Sequence, residues 1–169
     1  MSLADKVILV TGGTSGIGEA CSRHFAALGA RVAIGSNQAE RGAVLEKELR
    51  GAGHEARFFF TDVAREECVQ ALVEHALAEY GRLDGVHCNA GVWGQGKVTE
   101  FDDAAWDKIM GVNVKSVFWT AKHAIPALER ATKWAAEVEK AAAKPENATV
   151  VAELRQAAKN NDLFLREWA

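Results

Sequence analysis

The sequence predicts an α/β protein: a doubly wound parallel sheet of about four strands with a C-terminal helical extension. Short β-branched runs alternate with helical patterns up to about Pro126, which is the rhythm of parallel strands joined by crossover helices. The first apolar run, residues 6–11, is followed at once by glycines, as expected of a strand buried on both faces. All 15 glycines lie at or before Gly111, whereas the last part of the chain is rich in Ala, Glu and Lys. The chain therefore joins a sheet-forming region to a helical one.

The first part of the chain gives four strands and three helices. The strands are short apolar runs, expected at residues 6–11, 31–35, 56–61 and 83–88. The helices are amphipathic segments that each end at a glycine, expected at residues 16–28, 38–50 and 65–80. Because crossovers between parallel strands are right-handed, the expected strand order is 3-2-1-4. A ligand crevice is then expected at the carboxyl ends of the strands, where the first and fourth strands meet.

The second part of the chain is predicted to be helical. One helix begins after Asp102 or Asp103, either of which can cap it, and its apolar residues at helical spacing are Trp106, Ile109, Met110, Val114, Val117 and Phe118. A narrower stripe predicts a helix that runs to Lys144 and is broken by Pro145; the stripe comprises Leu128, Ala131, Trp134 or Ala135, Val138 and Ala142. A helix is expected at residues 146–159 and is favoured over a competing short strand at residues 149–151. A short terminal helix is expected at residues 163–168. We divide the chain into an α/β region, 1–128, and a helical tail, 129–169, packed on the same domain.

Composition excludes several classes of protein. Apolar residues make up 49% of the 169 residues and charged residues 25%, so the chain is a globular protein rather than a disordered one. A formal charge of −3 lacks the basic excess that nucleic-acid binding needs. No apolar stretch is long enough to span a membrane and no secretion signal is seen, so a cytoplasmic protein is expected. The three cysteines lack metal-ligand spacing, so no metal site is predicted and the thiols are expected to be reduced core residues.

The segment Thr11–Gly18 carries the strongest functional signal. It reads Thr-Gly-Gly-Thr-Ser-Gly-Ile-Gly and lies between a predicted strand and a predicted helix, which is the context in which a glycine loop binds a dinucleotide. Gly12 allows the tight turn, Gly16 lets the backbone approach a pyrophosphate, and Gly18 permits close packing of helix on strand. Amides at the helix start attract negative charge. The fold is therefore expected to be Rossmann-like.

Further motifs follow in order: Asp62-Val63 after the third strand, Asn89-Ala90-Gly91 after the fourth, and Asn113 within Val112-Asn-Val-Lys-Ser. With these motifs the chain resembles the short-chain dehydrogenase/reductase family from its start to about Leu128. The resemblance implies that Asp62 and Val63 contact adenine, that the backbone of residues 89–91 lies beside the cofactor, and that Asn113 helps to hold the proton-relay end of the site. The full set of expected cofactor-binding residues is Gly12, Thr14, Ser15, Gly16, Ile17, Gly18, Ser36, Asn37, Asp62, Val63, Asn89, Ala90 and Gly91.

The cofactor is expected to be NAD or NADP, with NAD favoured. An acid after the second strand would bond the ribose hydroxyls and a basic residue would accept the extra phosphate of NADP. The chain has Ser36 and Asn37 there, and neither is charged. In the glycine loop, Ser15 stands where many NADP-preferring members of the family have a basic residue. Arg41 could reach the phosphate, but we interpret it as a solvated helix residue.

The family's catalytic residues are absent from this sequence. Family members place a Ser after a fifth strand and then a Tyr with a Lys four positions later, so that a tyrosinate can exchange a proton with the substrate. The only tyrosine is Tyr80, and Asp84 stands four positions after it. Lys115 belongs to the Asn113 segment, and we interpret Ser116 and His123 as structural or solvent-facing. Asn113 is thus a vestigial catalytic residue.

Three hypotheses follow. The leading one is a dinucleotide-binding module that does not catalyse hydride transfer alone. In the second, a partner chain completes an oxidoreductase; in the third, the chain is a non-enzymatic scaffold whose tail, with Trp134 and Trp168, is the working surface, although core packing of these tryptophans is favoured. A truncated, frameshifted or engineered chimera would each give this pattern, and the regular helical tail favours engineering. The sequence leaves the substrate and the oligomeric state open.

Overall fold

The computed structural model describes residues 2–143 together with residues 148, 149, 151, 152 and 156. The strands are β1 (Val7–Thr11), β2 (Arg31–Ser36), β3 (Ala56–Phe60) and β4 (Gly85–Cys88). The helices are α1 (Gly16–Ala27), α2 (Ala39–Gly51), α3 (Glu66–Tyr80), α4 (Asp103–Met110) and α5 (Ser116–Ala142). A 3₁₀ turn, Val98–Glu100, precedes α4, and a π-helical segment, Gly111–Lys115, joins α4 to α5.

The four strands form one parallel sheet in the order β3-β2-β1-β4, which confirms the predicted fold class and strand order. Leu9 of β1 is in register with Ala33 of β2 on one side and with Val86 of β4 on the other. The two central strands are the most apolar and are almost fully buried, because helices cover both faces of a parallel sheet.

Alternate residues of β1 enter two cores. Leu9 faces α3 and α5, where it belongs to a cluster with Leu72 and Ala124. Val10 faces α1 and α2, where it belongs to a cluster with Ala26 and Leu45. The sheet is therefore wound on both faces, and the carboxyl ends of its strands all lie at one edge.

Strand β4 begins two residues later than predicted. The carboxylate of Asp84 turns back to accept the Val7 amide at 3.0 Å and also pairs with the Arg82 guanidinium. The Arg82 guanidinium in turn lies 5.6 Å from the centroid of the Trp134 ring of α5. Trp134 is half-buried, so this tryptophan packs against the amino edge of the sheet, as the packing interpretation expected.

The helical region differs from its prediction at two points. Asp102 caps α4 by accepting the Ala105 amide at 2.7 Å, but the predicted continuous helix is interrupted by the π-helical segment. Helix α5 then continues through Pro126. Proline has no amide hydrogen, so the carbonyl four residues earlier in the helix loses its hydrogen bond. Pro126 is exposed, so water can reach this part of the helix. The helix also crosses residue 128 without a break.

In the tail, the helical prediction for residues 146–159 is supported over the strand alternative. The described residues of that segment adopt helical conformation; they are Ala148, Thr149, Val151, Ala152 and Gln156. The predicted helix at residues 163–168, with Trp168, lies outside the described residues.

The cysteine prediction is wrong in one respect. None of the three thiols is a core group: Cys21 and Cys68 are half-buried and Cys88 is exposed. Cys88 is the last residue of β4, the edge strand of the sheet, where it is in register with Thr11 of β1. Among the described residues, no helix combines the length and the apolar character that crossing a membrane requires.

Candidate functional site

The glycine loop after β1 has the backbone conformation that its glycines were expected to provide. Gly12 and Gly16 have φ angles of +65° and +52°, values that side-chain-bearing residues rarely adopt. The amides of Gly12 and Gly13 both donate to the Gly35 carbonyl, at 2.7 and 3.3 Å. The loop is thereby fixed to the end of β2 before α1 begins.

Gly18 lies where no side chain fits. A Cβ at Gly18 would stand 2.2 Å from the Gly12 oxygen and 2.4 Å from Asn89 Nδ2. The first turn of α1 therefore packs directly on the loop backbone and on the residue that follows β4. Gly16, in contrast, has no atom within 4 Å of an added Cβ. The loop is consequently closed on its inner side and open at Gly16.

Asn89 and Thr11 tie the end of β4 to the end of β1. Asn89 Nδ2 donates to the carbonyls of Thr11 and Gly12, each at 3.2 Å. The Thr11 hydroxyl accepts the amides of Asn89 and Ala90 at 3.1 and 3.2 Å. Sequence analysis missed Thr11, although its place as the last strand residue before the glycines is a signal that could have identified it. These bonds bring Ala90 Cα to within 2.8 Å of a Cβ placed on Gly12.

Two of the expected site residues lie beneath the surface. Thr14 and Ser36 are 2% and 6% exposed, and the Thr14 hydroxyl donates to Ser36 Oγ at 2.7 Å. Ser36 Oγ also accepts the Gln38 amide at 3.2 Å. The two hydroxyls thus brace the glycine loop against β2. The strand runs one residue further than predicted and ends at Ser36, so Asn37 is the first residue after it and is exposed.

Asp62 and Val63 follow the end of β3. Asp62 Oδ1 accepts the Ala64 amide at 3.0 Å, and the Asp62 carbonyl accepts the Arg65 amide at 3.2 Å. Val63 is 8% exposed. This turn holds Asp62 half-buried at the carboxyl edge of the sheet, two strands away from the glycine loop.

Asn113 holds the loop that leaves β4. Its Oδ1 accepts the Val92 amide and its Nδ2 donates to the Val92 carbonyl, both at 2.8 Å. A Cβ on Gly91 would lie 3.5 Å from Asn113 Oδ1. Asn113 belongs to the π-helical segment, whose altered spacing presents this amide to the loop. The partner, Val92, is 21 residues away and carries no local sequence signal.

The amino end of α1 has backbone amides that no side chain caps. Its capping residue, Ser15, makes no side-chain cap hydrogen bond, so the first amides of the helix are left for another acceptor. Ile17 in that turn is 75% exposed, and Gly16 beside it is open. Adjacent to the loop, a cleft of about 400 Å³ between α1 and α2 is lined by Thr14 and by side chains of both charges: Glu19, Arg23, Glu40, Arg41 and Glu48. Arg23 is paired there with Glu19 and Glu48.

The remaining polar candidates are already engaged in contacts within the protein. Tyr80 is 4% exposed, and its hydroxyl donates to the Val32 carbonyl at 3.4 Å, near the amino ends of the strands. Burial raises the pKa of this phenol far above its usual value. Ser116 is buried and donates to the Val112 carbonyl, and His123 Nε2 lies 3.1 Å from Glu66 Oε1. Within the described part of the chain, no group of three or more His, Cys, Asp or Glu side chains could hold a metal ion.

A sequence profile of the short chain dehydrogenase family matches residues 6–157. The matched region therefore runs past residue 128 into the tail. An uncharacterized oxidoreductase from Thermotoga maritima is 36% identical over 130 residues, which cover 77% of this chain and 51% of that protein. The cis-4-hydroxycyclohexanecarboxylate dehydrogenase of Sinomonas cyclohexanicum is 40% identical over 125 residues, covering 73% of this chain and 50% of that protein.

Solved structures show the same likeness. A metagenomic short-chain oxidoreductase in complex with NADP superposes with a TM-score of 0.73 at 34% identity, covering 78% of this chain and 60% of that one. A short chain dehydrogenase from Mycobacterium smegmatis gives a TM-score of 0.72 at 31% identity, covering 74% of this chain and 53% of that one. The chain spans about half the length of the curated relatives that it matches.

Proposed function

Because this chain belongs to the short chain dehydrogenase family, we propose that its first 128 residues form a nicotinamide dinucleotide-binding module. One observation carries the proposal: the glycine loop is closed against β2 and β4 but open at Gly16, beside uncapped amides at the start of α1. A backbone cradle next to a helix N-terminus suits a pyrophosphate, which carries negative charge and many acceptor oxygens.

The other expected residues fit the remaining parts of such a cofactor. Asn37, exposed after β2, would meet the adenosine ribose, and Asp62 with Val63 would border the adenine. The backbone from Asn89 to Gly91 would lie beside the nicotinamide ring, which when bound supplies or accepts a hydride. Thr14 and Ser36, being buried, would support the loop rather than touch the cofactor.

We propose NAD rather than NADP as the preferred cofactor. Asn37 can donate and accept hydrogen bonds to ribose hydroxyls, whereas it brings no positive charge to a ribose phosphate. Arg41 lines the cleft that also contains Thr14. The other arginine of that cleft, Arg23, is paired with Glu19 and Glu48, so Arg41 is the candidate that could favour NADP. A charge change at residue 41 would therefore alter affinity for NADPH more than affinity for NADH.

We further propose that the chain by itself does not transfer hydride efficiently. The proton relay of the family needs an acidic hydroxyl at the carboxyl edge of the sheet. The only tyrosine of the 169 residues, Tyr80, is buried near the opposite edge with a raised pKa. Asn113 is committed to the Val92 backbone, so it positions a loop rather than supplying a proton.

A second function, an oxidoreductase completed by another chain, is favoured by a specific feature of the surface. Strand β4 lies at the edge of the sheet, and α5 beside it exposes Val117, Phe118 and Ile125 by 40%, 63% and 48%. An open strand edge next to exposed apolar side chains is suited to association. Hydride transfer that appears only when a second chain is added would favour this function over an isolated binding module.

The experiment is a titration with NADH and then NADPH, followed by energy transfer from tryptophan to the reduced nicotinamide. Gly16→Asp places a carboxylate at the open point of the loop, where repulsion of the pyrophosphate would weaken binding at least about tenfold. Gly53→Asp is the matched control, because Gly53 also has positive φ (85°) and open space around it but precedes β3 at the amino edge. Saturable NADH binding that Gly16→Asp abolishes and Gly53→Asp leaves intact supports the module. Absence of binding at millimolar cofactor would refute it and leave the loop as a scaffold.

A further inference from the structure

Strand β3 is an outer strand of the sheet that the structure describes, and β2 is its neighbour on the inner side. The Thr61 amide, directly after β3, donates to the Ser36 carbonyl of β2 at 2.9 Å. Backbone groups of successive strand residues point alternately to the two sides of the strand. The amides and carbonyls of Ala56, Phe58 and Phe60 therefore point away from the sheet. Such an outward row of backbone groups is a template on which another strand can pair.

One amide of this row is occupied by a side chain. The Phe58 amide donates to Glu46 Oε2 of α2 at 2.8 Å. The other carboxylate oxygen of Glu46 accepts from Arg57 Nη1 at 3.2 Å, and Arg57 Nε donates to Glu79 Oε1 of α3 at 2.7 Å. Helices α2 and α3 cover opposite faces of the sheet. Glu46, Arg57 and Glu79, which we call the β3 strap, therefore cross the edge of the strand from one face to the other.

The strand behind the β3 strap has the composition and the exposure of a pairing edge. Three of its five residues are phenylalanine, and aromatic residues favour strands. Phe58 packs on α2, because a Cβ placed on Gly42 would lie 2.3 Å from its ring. Phe60 has its side chain on the same face and is 65% exposed. Covering this apolar side chain would favour the addition of another strand.

A cleft lies beside Phe58 on the α2 face of this edge. It has a volume of about 440 Å³ and is lined by Phe58 and by one stripe of α2: Ala43, Glu46, Lys47 and Arg50. This volume exceeds that of a phenyl ring, and an arginine guanidinium can stack on an aromatic face. The cleft therefore suits an aromatic side chain that arrives along the edge of β3.

Two copies of β3 complement each other as an antiparallel pair. With Phe58 opposite the same residue of a second copy, the two residues would exchange both backbone hydrogen bonds. Phe60 of each copy would then lie opposite Ala56 of the other. Arg50 lies beside Ala56 and also lines the cleft. The exposed phenyl ring of one copy would thus meet the cleft of the other.

We propose that the β3 edge is a self-association surface for a second copy of this chain and that the β3 strap holds it closed. An incoming strand must take the Phe58 amide away from Glu46. The two-fold pairing would also bring the two Glu46 carboxylates close together, and like charges in such positions oppose pairing. The surface lies two strands away from the glycine loop, so this proposal does not depend on dinucleotide binding.

Sedimentation velocity at increasing protein concentration compares the unmodified protein with Glu46→Ala. We expect Glu46→Ala to dimerise at least about tenfold more tightly, because pairing no longer displaces two hydrogen bonds or brings two carboxylates together. The matched control is Glu48→Ala, which removes another α2 carboxylate, one that pairs with Arg23, and is expected to leave association unchanged. Far-ultraviolet circular dichroism establishes that each variant is folded. If alanine prevents folding, Glu46→Gln takes its place, because it removes the charge and keeps the length of the side chain.

Hydrogen exchange of the Phe58 amide distinguishes this edge from any other contact between copies. In the unmodified protein, Glu46 should protect the amide at every concentration. In Glu46→Ala the amide has lost its acceptor, so its protection should rise with protein concentration as dimers form. Adding Phe60→Ser to Glu46→Ala removes the ring that would enter the cleft and should weaken the dimer about tenfold.

Concentration-dependent protection of the Phe58 amide that Phe60→Ser reverses would support the proposal. A folded Glu46→Ala protein that associates no more tightly than Glu48→Ala would overturn it. Association that leaves the Phe58 amide unprotected, or that persists unchanged with Phe60→Ser, would place the contact elsewhere and overturn it equally.

Discussion

Replacing Gly18 with alanine tests whether the glycine loop is held as closely as the structure indicates. The added Cβ would lie 2.2 Å from the Gly12 oxygen, about 1 Å closer than carbon and oxygen ordinarily approach. Because that oxygen belongs to the backbone, the contact cannot be relieved by rotating a side chain. Either the loop or α1 must move.

The cost follows from what has to move. Asn89 Nδ2 would lie 2.4 Å from the new methyl group, so its bonds to the Thr11 and Gly12 carbonyls would also be lost or lengthened. Each such bond contributes about 1 kcal/mol, and overpacking costs about 1–3 kcal/mol. We therefore expect Gly18→Ala to lower the free energy of unfolding by about 3–5 kcal/mol.

Urea unfolding, followed by far-ultraviolet circular dichroism, measures this difference. Gly51→Ala is the matched control: Gly51 ends α2, its Cβ would meet nothing within 4 Å, and alanine there should stabilise the protein by up to about 1 kcal/mol. If Gly18→Ala unfolds within about 1 kcal/mol of the unmodified protein, the loop relaxes easily and the argument for close packing fails.

Three further changes have defined outcomes. Asn113→Ala should speed hydrogen exchange of the Val92 amide about tenfold or more, and unchanged exchange would contradict the anchoring role. Asp84→Asn removes the charge paired with Arg82, both side chains being 9% exposed, and should cost about 2–4 kcal/mol of unfolding free energy in urea; a loss below about 1 kcal/mol would show that the pair is dispensable. Hydrogen bonds from a lysine and a histidine of α5 lower the pKa of Glu66 below 4.5, so its contribution to stability is present above that pH and lost as pH falls through the lowered pKa. Glu66→Gln should therefore lose less stability than the unmodified protein on acidification from about pH 6 to about pH 3, and equal losses would refute the assignment.

The sheet was predictable because its signals are local. The runs predicted at residues 6–11 and 31–35 have continuous apolar centres, residues 7–10 and 32–34, and each is closely followed by a glycine. Burial on both faces of a parallel sheet favours that pattern. Strand order then followed from the handedness of crossovers. The edge strands were less well bounded, because β4 starts only after the side chain of Asp84 has bonded back to Val7.

The helical region and the details of the site depend on contacts between residues far apart in sequence. An apolar stripe does not reveal the π-helical segment Gly111–Lys115, because one shifted turn changes the spacing very little. Likewise, the motifs indicated that Thr14 and Ser36 belong to the site, but only the fold shows that their hydroxyls bond each other below the surface. The pairing of Asn113 with Val92 has no counterpart in the sequence pattern.

The binding site itself is most directly tested by ¹⁵N–¹H correlation spectra of the labelled protein, recorded with increasing NADH. The account predicts that shift changes concentrate on the amides of residues 12–18, 37, 62–63 and 89–91, saturate together, and disappear in Gly16→Asp. Changes that cluster elsewhere, or spectra that do not respond at millimolar NADH, would contradict the claim that this loop binds a nicotinamide dinucleotide.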